Sequence, residues 1–262
     1  MPKHGFRPFA PFAALLAGLS VIAVGLTVAA TADTPAAPPC DHRDLAGAPY
    51  TVCPFDPATQ DLRLVWRGRD GRALRRFPAL QRDLGPDAAR VAFAMNAGMY
   101  ETDGRPLGLF IEAGAEGRAL NTRTGASGNF YMAPNGVFSV APDGTPRIES
   151  TEAYRARDGA PRWATQSGPM LLIAGRLHPG IQPDGASHYI RNGACVAPGG
   201  QLFFVISETK VSFGRFATAM RDGLACTDAL YFDGAVSSLW APALRRMDDR
   251  YALGPMVVVL VK

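Results

Sequence analysis

The sequence predicts an α+β fold: a single β-rich domain, with mixed or antiparallel sheets and a few flanking helices. Three observations predict it. Strand-like apolar runs are short and frequent, turn dipeptides separate them, and helical periodicity occurs only at isolated places, out of step with the strands. Length and 47% hydrophobic content suit one domain with an ample core, or two small ones.

Taken in chain order, the first element is an export segment. Lys3 and Arg7 make a basic start, residues 8–32 carry no charge, and Ala30-Thr31-Ala32 offers a small-x-small cleavage site. Residues 1–32 therefore read as a signal peptide. An uncleaved anchor is the alternative, because the uncharged run is long enough to cross a bilayer. Residues 33–39 form a Pro/Ala-rich tether and 40–262 the folded domain. The expected location is exported, periplasmic or secreted, and membrane-attached only if the first segment stays uncleaved. Without Lys3 and Arg7, 25 basic residues face 23 acidic ones, from 27 and 23 in the whole chain. A balance near +2 with no basic run argues against a nucleic-acid partner.

Strands are expected over Asp61–Trp66, Val91–Met95, Leu107–Glu112, Val137–Val140, Met170–Ile173, Gln201–Ser207, Ala229–Phe232 and Met256–Val261. Asn135-Gly136 and Gly199-Gly200 read as tight hairpin turns. Helices are expected over Pro78–Leu84, with proline in the first turn, and Ser212–Arg221, with Ser212 as cap and Gly223 as terminator. A third, over Thr151–Arg155, has weaker periodicity. The four cysteines, an even count in an oxidising compartment, favour disulfides. Of three possible pairings, proximity favours Cys40–Cys53 with Cys195–Cys226, each contributing roughly 3 kcal/mol in the chain-entropy model. No Cys-x-x-Cys or Cys/His pair has zinc spacing. No cofactor is predicted. A divalent cation held by Asp and backbone oxygens stays open, and its ligands are unknown.

Five strand ends carry a polar cluster beside glycine or small residues. They are Asn96-Ala97-Gly98-Met99-Tyr100, Gln166-Ser167-Gly168, Arg191-Asn192-Gly193, Ser207-Glu208-Thr209-Lys210 and Asp233-Gly234-Ala235-Val236-Ser237-Ser238. Taken singly, each reads equally as an ordinary turn, cap or strand exit. Together they read as one pocket, because strand ends of a β-rich domain can converge. Glu208 and Lys210 enter on this ground alone, as a possible second carboxylate and an ammonium beside Arg191.

These motifs, in this order from Val91 to the C-terminus, resemble the phosphodiester glycosidase domain family. The Asn96–Tyr100, Gln166–Leu171, Arg191–Cys195 and Asp233–Ser238 segments carry the resemblance; Ala97 and Ala235 stand where the family pattern has glycine. The resemblance implies hydrolysis of a sugar-1-phosphodiester in a glycan or glycolipid, releasing sugar and phosphate monoester. Asp233 would be the principal carboxylate at the developing oxocarbenium, and Arg191 would hold the phosphate. Asn96, Gln166 and Ser237 would orient the substrate, with Gly98 and Tyr100 shaping the wall and Ser238 supporting Asp233. Two other readings remain: a non-catalytic envelope glycan-binding protein on the same fold, and a metal-dependent phosphodiesterase.

Overall fold

Three antiparallel sheets meet at one aromatic centre in the computed structural model, which describes residues 1–5 and 39–262. The export segment and tether read at 1–32 and 33–39 fall almost wholly outside the described residues. The largest sheet orders Asp41–Leu45, Ala48–Phe55, Leu202–Ser207, Asn192–Val196, Asp228–Tyr231, Met170–Ile173 and Arg176–Leu177. The second orders Arg246–Met247, Leu239–Ala241, Val91–Asn96, Met256–Val261 and Gln60–Val65. The third orders Ala115–Arg118, Phe110–Glu112, Trp163–Ser167, Gly136–Val140 and Pro146–Ser150.

Strand alternation explains how both faces are covered. In Leu202–Ser207, Leu202, Phe204 and Ile206 join the central core, while Val205 turns to the opposite face. Phe204 meets Phe93 of the second sheet at 5.4 Å between ring centres and Phe138 of the third at 5.6 Å. The three sheets therefore share one core, and Phe204 is where they touch. The outer face of the large sheet packs on the helix Phe213–Leu224 through Phe216, Ala217 and Met220. The second sheet is backed by Phe77–Leu84 through Phe77, Leu80 and Leu84.

All three expected helices form, the third over Thr151–Ala156. Ser212 caps its helix by accepting from the Arg215 N–H at 3.1 Å. Gly223 does not end that helix, which runs on to Leu224 with Ala225 in the left-handed region as its cap. Instead, a Cβ at Gly223 would lie 2.8 Å from Leu45 Cδ2, so that glycine lets the helix approach the sheet. Asn135-Gly136 is not a hairpin turn either. Gly136 already belongs to its strand, and the hairpin to Pro146–Ser150 closes through 141–145. Gly199-Gly200 does lie in a hairpin loop, spanning 197–201 with φ of 84° at both glycines. Both proximity-favoured disulfides are present, Cys40–Cys53 and Cys195–Cys226. The second joins the strand containing Cys195 to the residue leading into the neighbouring Asp228–Tyr231 strand.

Candidate functional site

The register brings several strand ends to one end of the core. Asn192 lies opposite Ile206 and Gly193 opposite Tyr231, so residues 191–192, 206–208 and 231–233 share one edge of the large sheet. Asn96, at the end of its strand, faces that edge across the core.

Its amide and that of Asn192 form a reciprocal pair. Asn192 Nδ2 donates to the Asn96 carbonyl at 2.8 Å and to Asn96 Oδ1 at 3.0 Å, and Asn96 Nδ2 donates to Asn192 Oδ1 at 3.3 Å. Both residues are fully buried. The pair organises the loop after the Asp228–Tyr231 strand. Asn96 Nδ2 reaches the Asp233 carbonyl at 3.3 Å, the Ser238 N–H donates to Asn96 Oδ1 at 2.9 Å, and Ser237 Oγ lies 3.0 Å from the Asp233 carbonyl and 3.1 Å from Asn192 Oδ1. The Ser167 hydroxyl adds a bond to the Phe232 carbonyl at 2.8 Å. Because buried polar groups are costly unless paired, this network fixes the loop in one arrangement.

The network presents the Asp233 side chain. Its Oδ1 accepts from the Ala235 N–H at 3.1 Å, but burial outweighs that bond and pushes the carboxyl up to about 6. Two phenols lie in its field. Tyr100 is raised first by burial and then by the Asp233 charge. Tyr231 is raised by burial and by Asp233, against the lowering effect of Arg191. The Tyr100 hydroxyl is anchored on the Ala252 carbonyl. Gly98, at φ 156°, lets this segment run against the third sheet: a Cβ there would lie 2.9 Å from Thr165 Oγ1.

The remaining expected residues are placed differently. Gln166 spends its whole amide inside the protein, accepting from the Leu109 and Asn121 N–H groups and donating to the Asn121 carbonyl and Thr151 Oγ1. Arg191 is fully buried on the helix side of the large sheet, 3.6 Å from the Phe213 ring centre, donating to the Val211 and Ser187 carbonyls. It faces the Tyr231 ring at 5.4 Å rather than the carboxylate itself. Glu208, two strands from Asp233 along the shared edge, accepts from Thr51 Oγ1 at 2.5 Å and pairs with Arg246 at 2.7 Å. Lys210 is exposed. Ser238 Oγ donates to the Val236 carbonyl, so its backbone N–H is what ties it to the Asn96 network. Among the described residues, no three His, Cys, Asp or Glu side chains gather as a metal site.

Three residues were not singled out from the sequence. Asn192 sits in the Arg191-Asn192-Gly193 cluster and Tyr231 in the expected Ala229–Phe232 strand, and neither carries a role in the sequence reading. Arg75, in a left-handed conformation at φ 61°, holds its guanidinium 5.1 Å from the Tyr100 ring centre, with Nη1 buried and unpartnered. A Cβ at Gly104 would collide with that nitrogen. No motif marks Arg75; only the fold brings it to Tyr100.

The Ala-for-Gly positions are both accommodated. Ala97 is buried in the central core, and Ala235 is exposed on the Asp233 loop.

The chain is 34% identical over 212 residues to the "Uncharacterized protein YigE" of Escherichia coli (strain K12), covering 80% of each chain. Two solved structures share the fold. A hypothetical protein from Synechocystis superposes with a TM-score of 0.55 at 15% identity, over 85% of this chain and 61% of that one. The catalytic domain of zebrafish N-acetylglucosamine-1-phosphodiester alpha-N-acetylglucosaminidase, auto-inhibited by its pro-peptide, gives 0.54 at 13%, over 85% and 81%. The phosphodiester glycosidase family model matches residues 89–253, a span that holds the Asn96–Asn192 pair and the loop it fixes, and the chain belongs to that family.

Proposed function

We propose that the chain is an exported hydrolase that cleaves the bond between an anomeric carbon and a phosphate oxygen in a sugar-1-phosphodiester of a glycan or glycolipid. Water adds to the anomeric carbon, and the phosphate leaves as a monoester. Family membership supports the reaction class, and the two disulfides support export to an oxidising compartment.

One observation carries the reading: the buried Asn96–Asn192 pair and Ser237 hold the loop that presents the Asp233 carboxyl, which burial pushes up to about 6. Such a group is ionised near neutral pH yet basic enough to take a proton from attacking water or to stabilise an oxocarbenium. The phosphate is already a good leaving group, so strong acid assistance is not needed. Arg75, whose guanidinium stands over the Tyr100 ring, is the cation we assign to the phosphate; its Nη1, buried and without a partner in this structure, would have to be uncovered for that contact. Asn96, Asn192, Ser237 and Ser238 position the Asp233 loop. Glu208, held by Arg246, remains a second carboxylate to test.

Hydrolysis of a panel of α-linked N-acetylglucosamine-1-phosphodiesters in ¹⁸O-water tests this. The expected result is label in the released sugar, and a loss of at least about a hundredfold in kcat/KM for Asp233→Asn. Label in the phosphate together with abolition by EDTA would establish a metal-dependent phosphodiesterase instead. Binding without turnover, unchanged in Asp233→Asn, would establish a glycan-binding protein.

A further inference from the structure

Away from Asp233, a cavity of about 560 Å³ opens between residues 121–124, the segment around Tyr131 and the residues 150–155. Its shape is fixed from below by buried amides. Gln166, 1% exposed, clamps the Asn121 backbone from both sides, through N–H to Oε1 at 2.9 Å and Nε2 to carbonyl at 2.8 Å. The same Nε2 reaches Thr151 Oγ1 at 3.0 Å, and Thr151 in turn donates to Asn135 Oδ1 at 2.7 Å. Asn121 Oδ1 then accepts the Arg123 N–H at 3.1 Å, which sets where Arg123 leaves the chain. A fully satisfied buried network of this kind is spent on holding the wall, since nothing else in it is left to bond.

The wall itself carries charge. Arg123, beside the Tyr131 ring at 5.8 Å, and Arg155 both line the cavity and are exposed, and neither has an ion-pair partner among the described residues. Glu152 lines it too, with Asn121 and Thr151. Two unpaired guanidinium groups suit an anion. The carboxylate, hydroxyl and amides suit a ligand that also donates and accepts through many hydroxyls. The volume far exceeds what a bare anion fills and lies inside the range of roughly 300–1,000 Å³ that takes small organic ligands.

We infer that this cavity is a second binding site, for a sugar of one or two rings bearing a phosphate or carboxylate group. None of its lining residues belongs to the Asp233 cluster, and the inference does not depend on the proposed reaction. Ser167 and Gly168 lie between the two. Ser167 bonds the Phe232 carbonyl, and a Cβ on Gly168 would lie 2.7 Å from Asn135 Cβ at the cavity rim.

Calorimetric titration of the whole protein tests the inference. The probes are N-acetylglucosamine 6-phosphate, glucuronic acid, N-acetylglucosamine and inorganic phosphate, none of which is a phosphodiester. At least one of the two charged sugars should bind at least tenfold more tightly than the neutral sugar and the free phosphate, weakening as salt rises. Whichever of them binds identifies the anionic group. The Arg123→Ala/Arg155→Ala double variant, altered only at exposed side chains, should lose at least tenfold in that affinity, while Asp233→Asn should bind like wild type. Failure of both charged sugars to bind, equal binding of the neutral sugar, or affinity untouched by the double variant would overturn the inference. So would loss of affinity in Asp233→Asn, which would assign the ligand to the other site. Inactivity toward phosphodiesters would leave these outcomes unaffected.

Discussion

Asp233 combines two opposed demands. Its loop is held by backbone carbonyls and amides, so the side chain is left to face a half-buried environment that resists its charge. A carboxyl whose folded pKa lies above its unfolded value opposes folding wherever it is ionised. From an ordinary 3.8 to about 6, that cost is absent below pH 4, grows across roughly pH 4–6 and is complete above it. Asp233→Asn, which keeps an acceptor for the Ala235 N–H, should therefore stabilise the protein above pH 6. The gain should be on the order of 1–2 kcal/mol after allowing for partial solvation, with no gain near pH 4. Urea unfolding at pH 4 and pH 7.5 checks this; an equal effect at both would mean that burial does not set the carboxyl's pKa. In the wild type, kcat/KM should rise through about pH 6 and then level, the limb of an essential ionised carboxylate. A fall through the same range would instead make Asp233 a proton donor.

At the level of elements, parity decides which side chains reach the site. Gln166 and Arg191 were expected there, but their neighbours Ser167 and Asn192 make the contacts. Successive strand residues face opposite sides, so a motif located correctly along the chain still leaves each member's direction open by one residue. The missed strands have an equally local cause. The hairpins at Ala46-Gly47, Ala113-Gly114 and Ala174-Gly175 put both residues at positive φ, from 48° to 85°. Their turn pair is Ala-Gly, not the Asn-Gly or Asp-Gly that marks such turns in a sequence. Strands such as Asp41–Leu45, half-buried at its sheet edge, and Ala115–Arg118, mostly exposed at its own, are polar and offered no apolar alternation either. The helices were legible because their signals are local. Ser212→Ala, which removes the cap on the Arg215 N–H and the longer bond to the Pro183 carbonyl at 3.3 Å, should cost about 1 kcal/mol by thermal or chemical unfolding. A negligible cost would show that packing of Phe216 and Met220 alone holds the helix.

For the molecule as a whole, Phe204 links the sheets to the site. It touches Phe93 and Phe138 of the other two sheets and lies 6.4 Å from Phe232, the residue before Asp233. Phe204→Ala should destabilise by about 3–5 kcal/mol, as a large buried ring leaves a cavity where three sheets meet. Because the floor beneath the Asp233 loop is loosened, turnover should fall further than the folded fraction explains. Activity corrected for that fraction checks it, and a full match would mean that the Asn96–Asn192 pair holds the loop unaided.

What the sequence determined by itself is the set of short-range facts: the β-rich α+β class, three helices, two disulfides from spacing, and the motif order that marks the family. Each of these depends on residues close in the chain, or on a pattern that survives without coordinates. Tertiary structure alone decided that Asn96 and Asn192, 96 residues apart, share one pair of amides. It also decided that Arg75 stands over Tyr100 and that Gln166 clamps the Asn121 backbone beneath a different cavity. Those outcomes depend on strand order, register and facing. They arise from contacts between distant segments, which no local spacing encodes.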